Sequence, residues 1–308
     1  MKGLDLSRRY WEEIIRPALQ AEFPDKLSLI AAGLVGDGSE CYGFDDEISQ
    51  DHDFGPRIFI WLTETDYISF GKELGNFLNS LPKSFLGYNG VNTSQYGDDR
   101  GGVYEISRFY KRFTGLNKAP STLSEWRFLP EVNLSLATNG EVFYDGNGAF
   151  SDYRKTLSAG YPQDIKLKKL AARCMKAAQS GQYNYPRCKK RGEEVAALLA
   201  LSEFIDTAAS LIYLLNNRYK PFYKWLHRGL TALPVLGGKC YPLFKRLTIN
   251  DGFFDCQDTI EEISQLIINE LQQQNYTDSR SDFLLDHGPE IQRRINDEQL
   301  RFAPLWSD

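Results

Sequence analysis

The stretch GDGSECYGFDDEISQDHDFG, Gly36–Gly55, joins a Gly-Ser step at Gly38-Ser39 to two carboxylates, Asp51 and Asp53, separated by one residue. In a strand, residues i and i+2 point to the same side, so this spacing predicts both carboxylates converging on one point while His52 and Phe54 face away. Two like charges that close repel and raise each other's pKa unless a cation lies between them. Hard oxygen ligands of this kind suit Mg²⁺, which completes its octahedron with water and substrate phosphates.

Upstream, LSLIAAGLVG (27–36) is a short apolar run ending in glycine. It predicts a buried strand that delivers the Gly-Ser step into a turn. There glycine permits close backbone approach, free N–H groups can hold a phosphate oxygen, and the Ser39 hydroxyl adds a donor. Downstream, RIFIWL (57–62) is dense in β-branched and aromatic residues and predicts a second strand. Gly55-Pro56 interrupts that strand early, since proline cannot donate to a ladder. An EF-hand starting at Asp51 fails, because its fifth, sixth and twelfth positions are Gly55, Pro56 and Leu62. A dinucleotide fingerprint from Gly36 fails at Cys41, and neither a P-loop nor H-E-x-x-H occurs.

Further out, the apolar spacing from Ser7 to Phe23 predicts one amphipathic helix, and 66–80 a second. VYEISRF (103–109) predicts a third strand with Val103, Glu105 and Ser107 on one face. GEVFYDGNG (140–148) predicts a strand and its exit turn. After about residue 150 helical periodicity dominates, over 165–180, 193–217, 221–233, 259–274 and roughly 283–302. The expectation is an α+β protein, with a sheet-and-helix domain over 1–150 and a helical bundle over 151–308. A length of 308 residues also favours two domains.

The net charge of -5 argues against broad binding to duplex DNA. Five scattered cysteines without a C-x-x-C pair, and no segment read as approaching the roughly 18 apolar residues of a membrane span, predict a cytoplasmic protein with reduced thiols. His52, His227 and His287 are too dispersed for a zinc site.

A Gly-Ser step followed by Asp-x-Asp on the next strand resembles the nucleotidyltransferase fold of the DNA polymerase beta superfamily. Its aminoglycoside nucleotidyltransferase branch couples that fold to a helical C-terminal domain. More narrowly, GSECYGFDDEISQDHDFGPR, NGEVFYD, RCKKRGEEVAALLALSEFI and LLNNRYKPFYKW resemble the bacterial domain of unknown function 4037 family. His52 departs from the aliphatic residue usual between the superfamily's aspartates.

The resemblance implies a mixed sheet and an ATP-binding transferase. It would move a nucleoside monophosphate from a nucleoside triphosphate, ATP being the expected donor, to a hydroxyl of an acceptor. Asp51 and Asp53 would be the catalytic metal ligands for one or two Mg²⁺ ions, Glu105 the third carboxylate or general base, and Gly38 and Ser39 nucleotide contacts. A small-molecule acceptor is favoured over protein or RNA; the acidic balance disfavours a large nucleic-acid acceptor, and fold analogy alone does not choose. Arg187, Lys190 and Arg191, read as standing at a helix start against its dipole, are candidate triphosphate contacts. Lys224, in the aromatic run RYKPFYKW, is a further nucleotide-binding candidate. Asp45 and Asp46 read as acids that order the loop. The alternatives are a nucleotide-binding regulatory module without turnover and a toxin that modifies tRNA or protein.

Overall fold

The computed structural model describes residues 1–50, 54–90, 101–249 and 256–307. In chain order the first part runs α1 (Gly3–Tyr10), a π turn (Trp11–Ile15), α2 (Arg16–Glu22), β1 (Ala31–Leu34), β2 (Phe59–Leu62), α3 (Glu64–Ser80) and β3 (Gly102–Glu105). It continues with α4 (Ile106–Thr114), α5 (Leu123–Phe128), α6 (Glu131–Thr138), β4 (Glu141–Asp145) and α7 (Ala149–Ser158). The remainder is helical: α8 (Gln163–Ala177), α9 (Tyr185–Lys190), α10 (Glu194–Leu215), α11 (Tyr223–Gly229), α12 (Gly237–Arg246), α13 (Cys256–Gln273), α14 (Leu284–Arg293) and α15 (Glu298–Arg301). The protein is thus α+β, and it divides into two compact units. One comprises Met1–Pro120 with Asn133–Ala159, the other Ser121–Val132 with Gly160–Asp308.

The first unit holds a four-stranded mixed sheet in the order β3-β2-β1-β4. β1 pairs antiparallel with β2 and with β4, whereas β2 and β3 are parallel. Both faces are covered, which is why β1 and β2 read as continuous apolar runs rather than alternating ones. Ala32, Ile60 and Leu62 belong to a core with Leu6, Trp11 and Leu19 of the N-terminal helical run and Phe70 of α3. On the other face the Trp61 ring stacks on Phe150 at 3.7 Å and meets Phe109 edge-on at 5.1 Å. Burial of such rings is the largest apolar contribution a side chain makes.

The third strand is shorter than predicted. It ends at Glu105, and α4 takes over from Ile106, burying Ile106, Phe109, Tyr110 and Phe113 on one helical face. Alternation and helical spacing coincide over 103–107, and the helical pattern declares itself only at Tyr110 and Phe113. Ser107 is therefore on a helix, not on a strand face beside Val103.

In the second unit α8 packs against α10 and α14. Its Lys168 is 0% exposed. A buried ammonium needs partners, and Lys168 donates to the Gln292 Oε1 and the Pro304 carbonyl, each at 2.7 Å. Arg173 lies 2.8 Å from the Glu131 carboxylate and donates to Ser210 Oγ at 2.6 Å. One expectation is corrected here: α10 is long and apolar enough to cross a membrane by length and composition, with half of its most apolar window buried in the fold. The interspersed Glu203 and Asp206 hid that run from a search for unbroken apolar letters.

Gly33 sets the β1–β4 contact. A Cβ there would meet the Glu141 carbonyl oxygen at 2.3 Å and the Val142 Cα at 2.9 Å, beside a register shift between Ala32 and Gly33. Both neighbours are backbone and cannot swing away. Gly33→Ala is expected to cost about 1–3 kcal/mol, read as a lowered urea midpoint; an unchanged midpoint would show that the strands separate without penalty.

Candidate functional site

The chain leaves β1 through Val35 and turns at Gly36-Asp37-Gly38-Ser39 into a short 3₁₀ turn, Glu40–Tyr42. Gly36 has φ +112° and Gly38 φ +121°, conformations that L side chains rarely adopt. A Cβ on Gly38 would also lie 2.4 Å from Glu40 Oε2 and 2.7 Å from an Arg57 nitrogen. The Ser39 carbonyl accepts from Tyr42 N at 3.1 Å and Phe44 N at 2.9 Å, closing the far side of the turn. Among the described residues, no hydrogen-bond partner occupies the Gly38 or Ser39 N–H or the Ser39 hydroxyl. Uncommitted backbone donors at a glycine turn are the kind of group that can hold an anion.

A buried ion pair and a half-buried amide hold this turn in shape. Arg57, on the approach to β2, donates to the Asp37 carbonyl at 2.8 Å and ion-pairs with the Glu40 carboxylate. Arg57 and Glu40 are only 6% and 8% exposed. Asn139, just after α6, accepts from Gly36 N–H and donates to Gly36 O, both at 2.8 Å. Beyond the turn Tyr42 shares a hydrogen bond with Ser135 Oγ at 2.9 Å. Burial raises the Tyr42 phenol above its ordinary pKa, against hydrogen bonds from Ser135 and Asn139 that lower it.

Asp45 and Asp46 order the loop, as the sequence suggests. The Asp45 carboxylate accepts the Gly3 N–H of α1 at 2.8 Å and lies 3.6 Å from the Lys2 ammonium. Asp46 caps the 3₁₀ turn Glu47–Ser49, accepting from the N–H groups of Ile48 and Ser49. Asp51 and Asp53 themselves, with His52, lie outside the described residues. Among the described residues no cluster of three or more His, Cys, Asp or Glu could hold a metal.

Glu105 is not brought to the turn. Gly33 pairs with Phe59 and Ala31 with Trp61, so Gly36–Ser39 leaves the sheet at the end where β2 begins. Glu105 pairs with Leu62, where β2 finishes, so it is displaced along β2 by three residues, roughly 10 Å. It is 7% exposed, 2.9 Å from Arg108 Nε, and bonded to the Ser107 hydroxyl at the start of α4. Its burial is accounted for by these partners.

The second-unit candidates are surface residues. Arg187 and Lys190 stand in the last turn of α9, and Arg191 is its C-cap. Positive charge there favours the helix dipole, so the expected conflict at a helix start is absent and no polyanion is needed to relieve it. Arg187 lies over the Tyr183 ring at 4.6 Å and Lys224 over Trp225 at 4.9 Å. Within the same unit a polar cleft of about 150 Å³ is lined by Arg173, Lys176, Asp206, Lys220 and Trp306. Its cations are paired, Lys176 with Glu203 and Lys220 with Asp206.

Residues 126–226 match the sequence pattern of a family described as Domain of unknown function (DUF4037). That segment contains NGEVFYD, RCKKRGEEVAALLALSEFI and LLNNRYKPFYKW, three of the stretches on which the resemblance to this family rests. No curated protein matches the chain. Among solved structures, a nucleotidyltransferase-like protein from Exiguobacterium sibiricum aligns over 84% of this chain and 75% of its own, with 12% sequence identity and a TM-score of 0.35.

Sequence reasoning missed Arg57 and Asn139. Arg57 carried a signal, a cation directly preceding an apolar strand that is buried on both faces, where only an ion pair makes it tolerable. Arg57→Ala leaves Glu40 buried without that cation and is expected to cost about 3–5 kcal/mol. Equilibrium unfolding in urea measures it; a loss below about 1 kcal/mol would mean that the pair behaves as a surface contact.

Proposed function

We propose that the chain is a Mg²⁺-dependent nucleotidyltransferase, moving a nucleoside monophosphate from a nucleoside triphosphate, ATP foremost, to a hydroxyl on a small-molecule acceptor. The observation that carries the proposal is the turn after β1, with the Gly38 and Ser39 N–H groups and the Ser39 hydroxyl uncommitted among the described residues. Three uncommitted donors on two consecutive residues of a glycine turn suit the oxygens of a phosphate chain.

The donor set for the metal is a matter of sequence. Asp51 and Asp53 follow the turn along the chain, and their hard oxygens fit Mg²⁺ and not a soft metal. When bound there, Mg²⁺ would neutralise charge on the phosphates. This chain's own part is to bind the triphosphate at Gly38-Ser39, to hold it in line with the acceptor, and to offer the two carboxylates to the metal. In the transfer the acceptor hydroxyl oxygen bonds to the α-phosphorus, the bond from that phosphorus to the β-phosphate oxygen breaks, and pyrophosphate leaves. The hydroxyl proton passes to a base or to water. Glu105, at the far end of β2, has no place in this scheme. The reaction belongs to the phosphorus-group transferases, and the scheme needs neither a membrane nor duplex DNA.

The test is a titration of the four nucleoside triphosphates, with and without Mg²⁺, against the wild type, Ser39→Ala, and the double variant Asp51→Ala with Asp53→Ala. Binding is expected to require Mg²⁺, to weaken roughly five- to tenfold in Ser39→Ala, and to weaken more than a hundredfold in the double variant. Metal-dependent binding that survives the double change would place the clamp elsewhere. Tight binding without pyrophosphate release in the presence of cell extract would favour a regulatory nucleotide-binding module.

A further inference from the structure

Between them, two consecutive residues hold both ends of the turn. Asn139 makes its reciprocal pair of bonds to Gly36, where the turn begins. Gly140 donates its N–H to the Cys41 carbonyl, where the turn ends, at 2.8 Å. Gly140 can do so only as glycine, since φ is +63° and a Cβ would lie 2.0 Å from the Leu34 carbonyl oxygen. Gly38 and Ser39, the donors left open, lie between these two anchor points.

The strap that carries Asn139 and Gly140 is itself held by one guanidinium. Arg154, on α7, donates through Nη2 to the carbonyls of Thr138 and Asn139 at 2.7 Å each and of Gly140 at 3.3 Å, and through Nη1 to Ala137 at 3.4 Å. The carbonyls of Ala137 and Thr138 are among those that a helix C-terminus leaves without intrahelical partners. A planar guanidinium presents its donors in a fixed fork, so it holds these acceptors in one arrangement where an ammonium on a flexible stem would not. α7 is in turn fixed to the sheet by Phe150 against Trp61 and to α4 by Tyr153 stacked on Tyr110 at 4.1 Å.

We propose that Asn139 is the positioning residue of the phosphate cradle, acting through Gly36 to aim the Gly38 and Ser39 N–H groups, and that Arg154 holds Asn139 in place. The proposal rests on the reading of that turn as the triphosphate site. It adds that cradle geometry is set from the α6–β4 connection, more than a hundred residues away along the chain. The ligand chemistry is the polyphosphate tail alone, so inorganic tripolyphosphate serves as the probe.

The experiment uses the full chain as wild type, Asn139→Ala, Arg154→Lys and Thr63→Ala. The last removes the cap that Thr63 provides to Asp66 N at the start of α3 and serves as a destabilised control away from the turn. Two quantities are read in each: amide hydrogen exchange over 36–41, and affinity for tripolyphosphate with Mg²⁺. Asn139→Ala is expected to speed exchange at 36–41 and weaken tripolyphosphate roughly tenfold, leaving exchange in β2 unchanged. Arg154→Lys should move both in the same direction by less, and Thr63→Ala neither. Equal binding by wild type and Asn139→Ala, or equal acceleration in Thr63→Ala, would overturn the positioning role. Failure of the wild type to bind tripolyphosphate would instead overturn the cradle reading, while a local rise in exchange in Asn139→Ala would still establish the clamp.

Discussion

The first unit depends on a turn that must bend through two positive-φ glycines at the end of a strand buried on both faces. Its two glycines have no side chains and Asp37 is exposed, so its shape is imposed from outside. Arg57 and Glu40 brace one flank from beneath, and Asn139 grips the other. The result is a backbone segment held from both flanks while its polar groups stay uncommitted, and donors held in place in this way bind an anion with little reorganisation.

The sheet serves this turn. Because α1, α2 and α3 cover one face and α4 and α7 the other, β1 can be short, apolar and inflexible, and Gly33 lets β4 approach closely enough for the α6–β4 connection to reach Gly36. Burial, register and turn geometry are thus one arrangement. The second unit is built differently, around α8, whose buried cations are each matched by an acceptor or a ring, as Lys168 is by Gln292 and Arg173 by Glu131.

Much of this was legible in the letters. The β1 run, the Gly-Ser turn, RIFIWL, NGEVFYD and the long helices stand out because apolar periodicity and glycine punctuation are local signals. What was not legible depends on partners distant in the chain. The extent of β3 was misjudged because strand and helix periods overlap at 103–107. The resemblance implies a catalytic role for Glu105, whereas its position along β2 follows only from register. Arg187, Lys190 and Arg191 changed meaning once α9 was seen to end there instead of begin. Asn139 sits in an unremarkable Thr-Asn-Gly corner, and nothing in sequence ties it to a residue as far away as Gly36. Asp51 and Asp53 lie outside the described residues, and their part in the account rests on sequence spacing.

The functional account reduces to whether the Gly38 and Ser39 amides take a phosphate. The most direct measurement is the backbone ¹H–¹⁵N resonances of these two residues in the full chain as ATP is added with and without Mg²⁺. The account predicts saturable downfield shifts of both amide protons that require Mg²⁺, with Gly36 and Cys41 moving less. Saturable nucleotide binding that leaves the Gly38 and Ser39 resonances unmoved would contradict it.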